Sequence, residues 1–595
     1  MTAAARPTIG LTDVVRNLPG IAPELPAMAA NTLGLIRGPE SRHSVGLAFQ
    51  RAARRHPHRP FLIFEGRTIG YREANRTVNR YAHALTDAGV RRGDVVGVLM
   101  KNRPETVYLV LAICKLGATA GMLNHNQRGP VLSHSIDLLG ARLLVVGAEC
   151  REVLDSVGAD VPLPEELKAD DLLRAARDAE TTDPPVCAEV TGRERAFLVF
   201  TSGTTGLPKA SVMTHYRWSA AMTGIGGFGV RLRRTDRLYC CLPLYHNNAL
   251  TIALSAVIGS GASLALGRQF SVRRFWSEIA AADATAFVYI GELCRYLLNQ
   301  PPRPDDRDHR VRLVVGNGLR PEIWEQFRTR FGIPRVVEFY GASEGNIVFV
   351  NAIGLDRTAG ISPLPHAVVE FDDATGRPRR GPDGRLLRVD RGAVGLLLAK
   401  VTPRTPFDGY TDPEATEAKL VRDGFTDGDA WLNTGDLVRR QGMLHIAFVD
   451  RLGDTYRWKG ENVATTEVEG VIAEDPAVEQ VAVYGVPVPD TDGRAGMAAV
   501  LTREAMLLDP TRLAGLLYRR LPGYAVPLFV RVVAELEQTA TFKNRKVELR
   551  AQGYREVGAD PLYVLAGATE GYVEATPDSL ETYLGEVAAG KRPAR

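Results

Sequence analysis

The run Ala196-Phe-Leu-Val-Phe-Thr-Ser-Gly-Thr-Thr-Gly-Leu-Pro-Lys-Ala210 decides how this chain is read. Five residues of strong strand character, Ala196 to Phe200, lead into a loop of hydroxyls and glycines that ends at Lys209. Gly203 and Gly206 let backbone N–H groups converge, Thr201, Ser202, Thr204 and Thr205 add donors, and Lys209 adds charge. Such a loop can wrap an anion, and the expected anion is the triphosphate of a nucleotide. A Walker A loop needs Gly directly before Lys. Here Leu207-Pro208 intervene, which disfavours the P-loop NTPase fold. A Ser/Gly-rich linker is the plain alternative, but a linker would not follow a buried-looking strand.

At 595 residues the chain exceeds what one core supports, so two or more domains are expected. Hydrophobic and charged fractions of 45% and 24% are ordinary for a globular protein. A net charge of +4 gives no case for nucleic-acid binding. The six cysteines show no Cys-x-x-Cys spacing, which fits buried reduced thiols in a cytosolic protein. No signal peptide is legible at the N-terminus. The most membrane-like window, Val107 to Leu123, carries Lys115 at its middle, at a cost of roughly 2.5–3.5 kcal/mol in a spanning helix. A buried helix running into a strand is the better reading. Peripheral membrane contact and a homodimer are left open.

Residues 1–45 are punctuated by Pro and Gly and are expected to wrap the surface. From about 45 to 150, helical stretches such as "VNRYAHALTDAGV" alternate with β runs such as "VVGVLM" and "ARLLVVGA", which argues for layered α/β sheets. Residues 151–192 read as a polar connection. A second α/β block follows the loop, with "DRLYCCLPLYH" and "ATAFVYIG" as strands. Between about 360 and 448 turn signals dominate, and Asp383-Gly384 marks a hairpin in a small antiparallel β subdomain. Beyond Arg451 the pattern returns to α/β. The organisation expected is a large N-terminal domain over 1–450 and a smaller C-terminal one over 451–595.

The loop residues 200–215, "FTSGTTGLPKASVMTH", resemble the phosphate loop of adenylate-forming enzymes, the superfamily of acyl-CoA synthetases, luciferases and peptide-synthetase adenylation domains. Further motifs arrive in that family's order. In "VVEFYGASEGN" (336–346), Tyr340, Gly341, Ser343 and Glu344 match Tyr-Gly-x-Thr-Glu, with Ser for Thr. A flat ring at a strand end can stack on adenine. A carboxylate beside phosphates can hold Mg²⁺, so Glu344, with Thr204, is the metal candidate. Glu338 stands where the family often has Asn facing the adenine amino group, with Phe339 between it and Tyr340. In "VVGNGLRPEIW" (314–324), Gly316, Asn317 and Gly318 form the loop the family packs on adenine; spacing alone allows a plain strand-to-helix turn. Asp436, in "WLNTGDLVRR", matches the ribose-binding Thr-Gly-Asp, although an Asx turn is the bland reading. Arg451 fits the family's ribose-contacting arginine, and Gly453 and Asp454 lie where the superfamily hinges.

"DTYRWKGENVATTEVE" (454–469) resembles the signature of the very-long-chain acyl-CoA synthetase and fatty acid transport protein branch. There Lys459 and Gly460 would line the thiol tunnel. In "QTATFKNRKVEL" (538–549), Lys543 falls on the catalytic lysine, with Phe542 for the usual Gly and Lys546 for the usual Arg. His246, in "LPLYHNNA", falls where the family borders the acyl entrance; a satisfied buried histidine reads equally well. The resemblance implies an acetyl-CoA synthetase-like α/β fold and a ligase using ATP, Mg²⁺, coenzyme A and a long or very long fatty acid. Catalysis would fall to Lys543, Glu344 and Lys209, in the cytoplasm or at the inner face of the cell membrane. A carrier-protein acceptor and a lipid uptake or binding protein are the alternatives. A rival reading takes Gly341-Ala-Ser343-Glu-Gly345 as the nucleophile elbow of an α/β-hydrolase, which requires a helix directly after it.

Overall fold

The computed structural model describes residues 8–32, 37–158, 161–202, 207–372, 375–458, 461–489, 491, 493–538 and 546–589. The helix–strand alternation of the first half builds two sheets. The smaller has six strands in the order Glu165–Lys168, Leu143–Val146, Val95–Leu99, Thr119–Met122, Arg195–Ser202, Pro208–Thr214. All pair in parallel except the last two, which form an antiparallel hairpin. The two strands that flank the phosphate-loop candidate are therefore antiparallel neighbours. A strand, not a helix, follows the loop, in keeping with the rejection of a Walker A loop.

The larger sheet has fourteen strands. Its parallel part runs Pro60–Phe64, Ser263–Leu266, Arg237–Cys240, Ala286–Ile290, Leu313–Asn317, Val336–Gly341. Val336–Gly341 is the turning point. It is parallel to Leu313–Asn317 on one side and antiparallel to Val348–Val350 on the other. From there the sheet continues antiparallel through Gly360–Ile361, His445–Arg451, Ala430–Gly442, Val394–Lys400 and His366–Val369. The turn-rich region thus contains the antiparallel strands expected, and hydrogen bonds join them to the parallel ladder. At Asp383-Gly384 the hairpin is present, with Gly384 at φ +76° and Gly381 N–H donating to the Arg385 carbonyl (2.8 Å).

The C-terminal sheet has five strands, from Val478–Val486 to Gly571–Glu574, with helices Thr465–Ile472 and Pro510–Arg520 against it and a core of its own. Two expectations need correction. Residues 151–192 are more than a connection: they hold strand Glu165–Lys168 and helix Ala169–Asp178. The strand lies at a sheet edge and is largely exposed, so its "EELK" carries no apolar signal. Among residues 1–45, the described part adds helices Leu11–Ile21 and Leu25–Thr32, which the Pro/Gly punctuation did not suggest. They are pinned by Ile9 N–H to the Gln441 carbonyl (2.8 Å) and by the Arg231–Glu24 pair.

The apolar window 107–123 is a buried helix, Pro104–Lys115, leading to strand Thr119–Met122. Lys115 is fully buried and donates to Asn75 Oδ1 (2.7 Å), Asn79 Oδ1 (2.6 Å) and Asp183 Oδ1 (2.8 Å). Its charge thus fits a protein core rather than a bilayer. Among the described residues no helix is long and apolar enough to cross a membrane. All six cysteines are buried free thiols.

Candidate active site

In open α/β sheets, ligands gather beyond the carboxyl ends of the parallel strands. Val336–Gly341 is the last of these, where the ladder changes from parallel to antiparallel, and most of the described site candidates converge around its end. Tyr340, only 9% exposed, donates its hydroxyl to Asp436 Oδ2 (2.6 Å). Asp436 and Arg451 face each other across the hairpin Ala430–Gly442/His445–Arg451, with Arg451 Nε 3.6 Å from Asp436 Oδ1. Partial burial disfavours the Arg451 charge. Asp436, Glu344 and Asp454 outweigh that and hold its pKa above the usual arginine value. Burial, reinforced by Asp436, pushes the Tyr340 phenol well up, so the ring stays neutral. Three residues spread over more than a hundred positions thus form one polar cluster at the strand end.

The next strand supplies the loop Gly316–Leu319. A Cβ on Gly316 would lie 2.1 Å from the Tyr289 carbonyl oxygen, and Gly318 has φ +81°, so both positions demand glycine. Glu338 clamps this loop. One of its oxygens accepts from the N–H groups of Gly318 and Leu319 (3.3 Å to Leu319), and the other accepts from the Tyr289 hydroxyl. Burial pushes the Glu338 carboxyl up to about 8, against the pull of those three donors. Asn317 Oδ1 accepts from Asn248 Nδ2 (2.8 Å), which brings the His246 loop alongside. His246 stacks obliquely on Tyr245, with ring centroids 4.5 Å apart. Phe339 points into the main core.

On the opposite side, Thr201 and Lys209 are register partners across the phosphate-loop hairpin. The sequence reading missed Tyr410, which joins this hairpin to Glu344. Its hydroxyl donates to Glu344 Oε1 (3.0 Å), and Lys209 Nζ lies 5.7 Å from its ring centroid. Backbone pairing holds it there: Val212 N–H donates to the Gly409 carbonyl and Thr411 N–H to the Ala210 carbonyl, both at 3.0 Å. Arg217, also missed, holds the turn after Tyr340 by donating to the Ser343 (2.7 Å) and Gly345 carbonyls. Burial lowers its pKa, opposed by Asp408 and Glu344.

Gly341–Gly345 is followed by strand Val348–Val350, in which Phe349 pairs with Tyr340. The helix a nucleophile elbow requires is not there, and the hydrolase reading falls. Past Arg451 the chain turns sharply, with Asp454 and Thr455 N–H both bonded to the Arg451 carbonyl (2.9 and 3.1 Å). A Cβ on Gly453 would meet nothing within 4 Å. Gly203, Thr204, Thr205, Gly206, Lys459, Gly460 and Lys543 lie outside the described residues, as does the side chain of Ser202. Among the described residues no group of three His, Cys, Asp or Glu could cage a metal. A single carboxylate such as Glu344 suits Mg²⁺ carried in on phosphates, since that ion keeps water and substrate oxygens.

A family model for AMP-binding enzymes matches residues 49–393, and one for the AMP-binding enzyme C-terminal domain matches 467–543. The chain belongs to the AMP-binding enzyme family. Among its relatives is a Mycobacterium tuberculosis protein named medium/long-chain-fatty-acid–CoA ligase FadD6. It is 54% identical, and the match takes in 99% of this chain and 98% of that protein. Long-chain fatty acid transport protein 2 of Rattus norvegicus is 39% identical over 89% of each. A solved Mycobacterium tuberculosis fatty acyl CoA synthetase superposes with a TM-score of 0.62 at 26% identity, covering 86% of this chain and 98% of that one. ATP-bound MatB from Rhodopseudomonas palustris shares the AMP-binding enzyme fold at a TM-score of 0.72 and 23% identity, over 86% of this chain and 100% of that one.

Proposed function

We propose that this chain is an AMP-forming ligase that activates long or very long fatty acids and transfers them to coenzyme A. The observation that carries this is the end-to-end 54% identity with a protein named as a fatty-acid–CoA ligase. The Tyr340–Asp436–Arg451 cluster supports it chemically. In the first step a carboxylate oxygen of the fatty acid bonds to the α-phosphorus of ATP, and pyrophosphate leaves. A fatty acid is already ionised at neutral pH, so no base is needed. Tyr340 would cover the adenine and Asp436 would take the ribose hydroxyls. Lys209, Lys543 and the donors of 201–206 would meet the charge that gathers on the phosphate oxygens. Glu344, with Thr204, would hold Mg²⁺, which neutralises phosphate charge when bound. In the second step the CoA sulfur bonds to the acyl carbon and AMP leaves. The family's answer to housing both steps in one site is rotation of the part beyond Arg451 about Gly453–Asp454, which would bring Lys459-Gly460 to the thiol path. His246 would border the acyl entrance.

We place the chain in the cytoplasm, with peripheral contact at a membrane surface. Leu11, Val15 and Leu18 form an exposed stripe at helical spacing, Leu11 being 64% exposed. AMP release that requires both fatty acid and CoA is the expected result. Hydroxamate formation with ATP alone and no CoA consumption would indicate a carrier-protein acceptor instead. The likeness to a fatty acid transport protein favours a second reading, lipid uptake; fatty-acid binding without AMP release would select it.

A further inference from the structure

Beyond the nucleotide crevice, the buried carboxylate of Glu469 joins the C-terminal part to a side chain at the end of a large-sheet strand. Glu469 lies on helix Thr465–Ile472 and is 4% exposed. Its Oε1 accepts from the Val483 N–H of the C-terminal sheet (3.0 Å) and lies 2.8 Å from Lys546 Nζ. Its Oε2 lies 3.1 Å from an Arg320 guanidinium nitrogen. Burial disfavours the Glu469 charge, but Lys546 and Arg320 outweigh it and keep the group ionised.

The two cations come from different places. Arg320 directly follows the loop Gly316–Leu319 that Glu338 clamps, and it also reaches Glu292 (3.4 Å). Lys546 opens helix Lys546–Gln552, three residues after Lys543, and donates as well to Thr465 Oγ1 (2.9 Å). From the same helix Arg550 reaches Asp454 in the turn after Arg451 (2.8 Å). Glu469 and Lys546 travel together in any movement of the C-terminal part. The Glu469–Arg320 pair is among the contacts such a movement must break, together with the bonds from Arg295 to the Glu479 carbonyl and from the Tyr296 hydroxyl to Gln538 Oε1 (2.7 Å).

We propose that Glu469 is a positioning residue for acyl-adenylate formation, docking helix Lys546–Gln552, which follows Lys543 in the chain, against Arg320 after the loop Gly316–Leu319 by pairing with Arg320 and Lys546 at once. This rests on Lys543 serving the first half-reaction. The pairing belongs to one arrangement of the two parts, so its loss falls on one half-reaction and spares the other. A pair that served only stability would weaken both alike.

The test measures single-turnover acyl-AMP formation, and separately CoA thiolysis of purified acyl-adenylate, in full-length Glu469→Gln, Arg320→Met, their double variant and Lys543→Ala. Glu469→Gln and Arg320→Met are each expected to slow acyl-AMP formation by about 10- to 100-fold, with thiolysis within about twofold of the parent. The double variant should lose little more than either single, because both remove one contact. Parental adenylation in Glu469→Gln, or equal loss in both half-reactions, overturns the proposal. If Glu469→Gln does not fold, the same ratio in Arg320→Met decides. Acyl-AMP formation at the parental rate in Lys543→Ala would instead sink the underlying reading of Lys543. A dead Lys543→Ala beside a parental Glu469→Gln sinks only the positioning role.

Discussion

Lys115–Asp183 and Lys209–Glu344 are both cation–carboxylate neighbourhoods, yet they are built on opposite principles. Around Lys115 everything is spoken for. Its ammonium has three oxygen partners, and Asp183 also accepts from Arg54, Asn75 and Asn79. Around Glu344, among the described residues, one hydroxyl reaches the carboxylate, and Lys209 lies over the ring that carries it. A saturated buried cluster fixes a helix to its neighbours. A carboxylate that is braced but not saturated retains lone pairs for a ligand. Saturation, rather than charge, separates the structural pair from the site.

The sharpest way to break this comparison is to substitute each side. Lys115→Met should cost about 3 kcal/mol, because it removes the buried cation of the cluster and leaves Asp183 with the exposed Arg54 as its charged partner. Urea unfolding would show it, and a loss under about 1 kcal/mol would mean the cluster is not what holds the helix. The parent should also weaken in acid. Although burial raises the Asp183 pKa, Lys115 and the other donors depress it overall. Its contribution is therefore present above the ordinary Asp value and disappears as pH falls below it.

Glu338 is the intermediate case, buried and hydrogen-bonded but without a cation of its own. Its folded pKa of about 8 lies above the unfolded value, so the folded state keeps a proton that the unfolded chain has lost. The Glu338 contribution to stability should be full below about pH 4.5 and fall by on the order of 3 kcal/mol between about pH 5 and 7.5. Glu338→Gln should flatten that slope, and an unchanged slope in thermal melts would refute the assignment.

On the ligand side, Glu344→Gln should slow acyl-AMP formation by about 100-fold while moving the unfolding midpoint little. A large stability loss with normal turnover would reverse the comparison. Tyr410→Phe removes one brace and should cost about 5- to 10-fold, on the order of 1 kcal/mol, the net worth of one typical hydrogen bond. Its signature would be a higher Mg²⁺ requirement with the thermal midpoint unchanged.

What the sequence disclosed follows from where the information sits. Tyr340, Asp436 and Arg451 were legible because each lies in a short motif whose order along the chain carries the family resemblance. The sheets were legible where apolar runs alternate with helical periodicity, as in "VEQVAVYGV", which is strand Val478–Val486. Strand Glu165–Lys168 was not, because a charged edge strand has no buried face to pattern. Tyr410 was not, because its role comes from pairing with a strand nearly two hundred residues earlier. Asp183, the counterion of Lys115, lies 68 residues further along, and no local signal links them. The bonds from Gly318, Leu319 and Tyr289 to Glu338 were not legible either, because motif position names the residue and not the partners its oxygens find.

The segment Gly409–Thr411 has one more consequence. It lies along Pro208–Thr214, the last strand of the six-stranded sheet, and occupies amides and carbonyls that would otherwise be open to another molecule's backbone. Changes that unseat this segment should turn solutions cloudy, so loss of colloidal behaviour would report on the brace even before any assay is run.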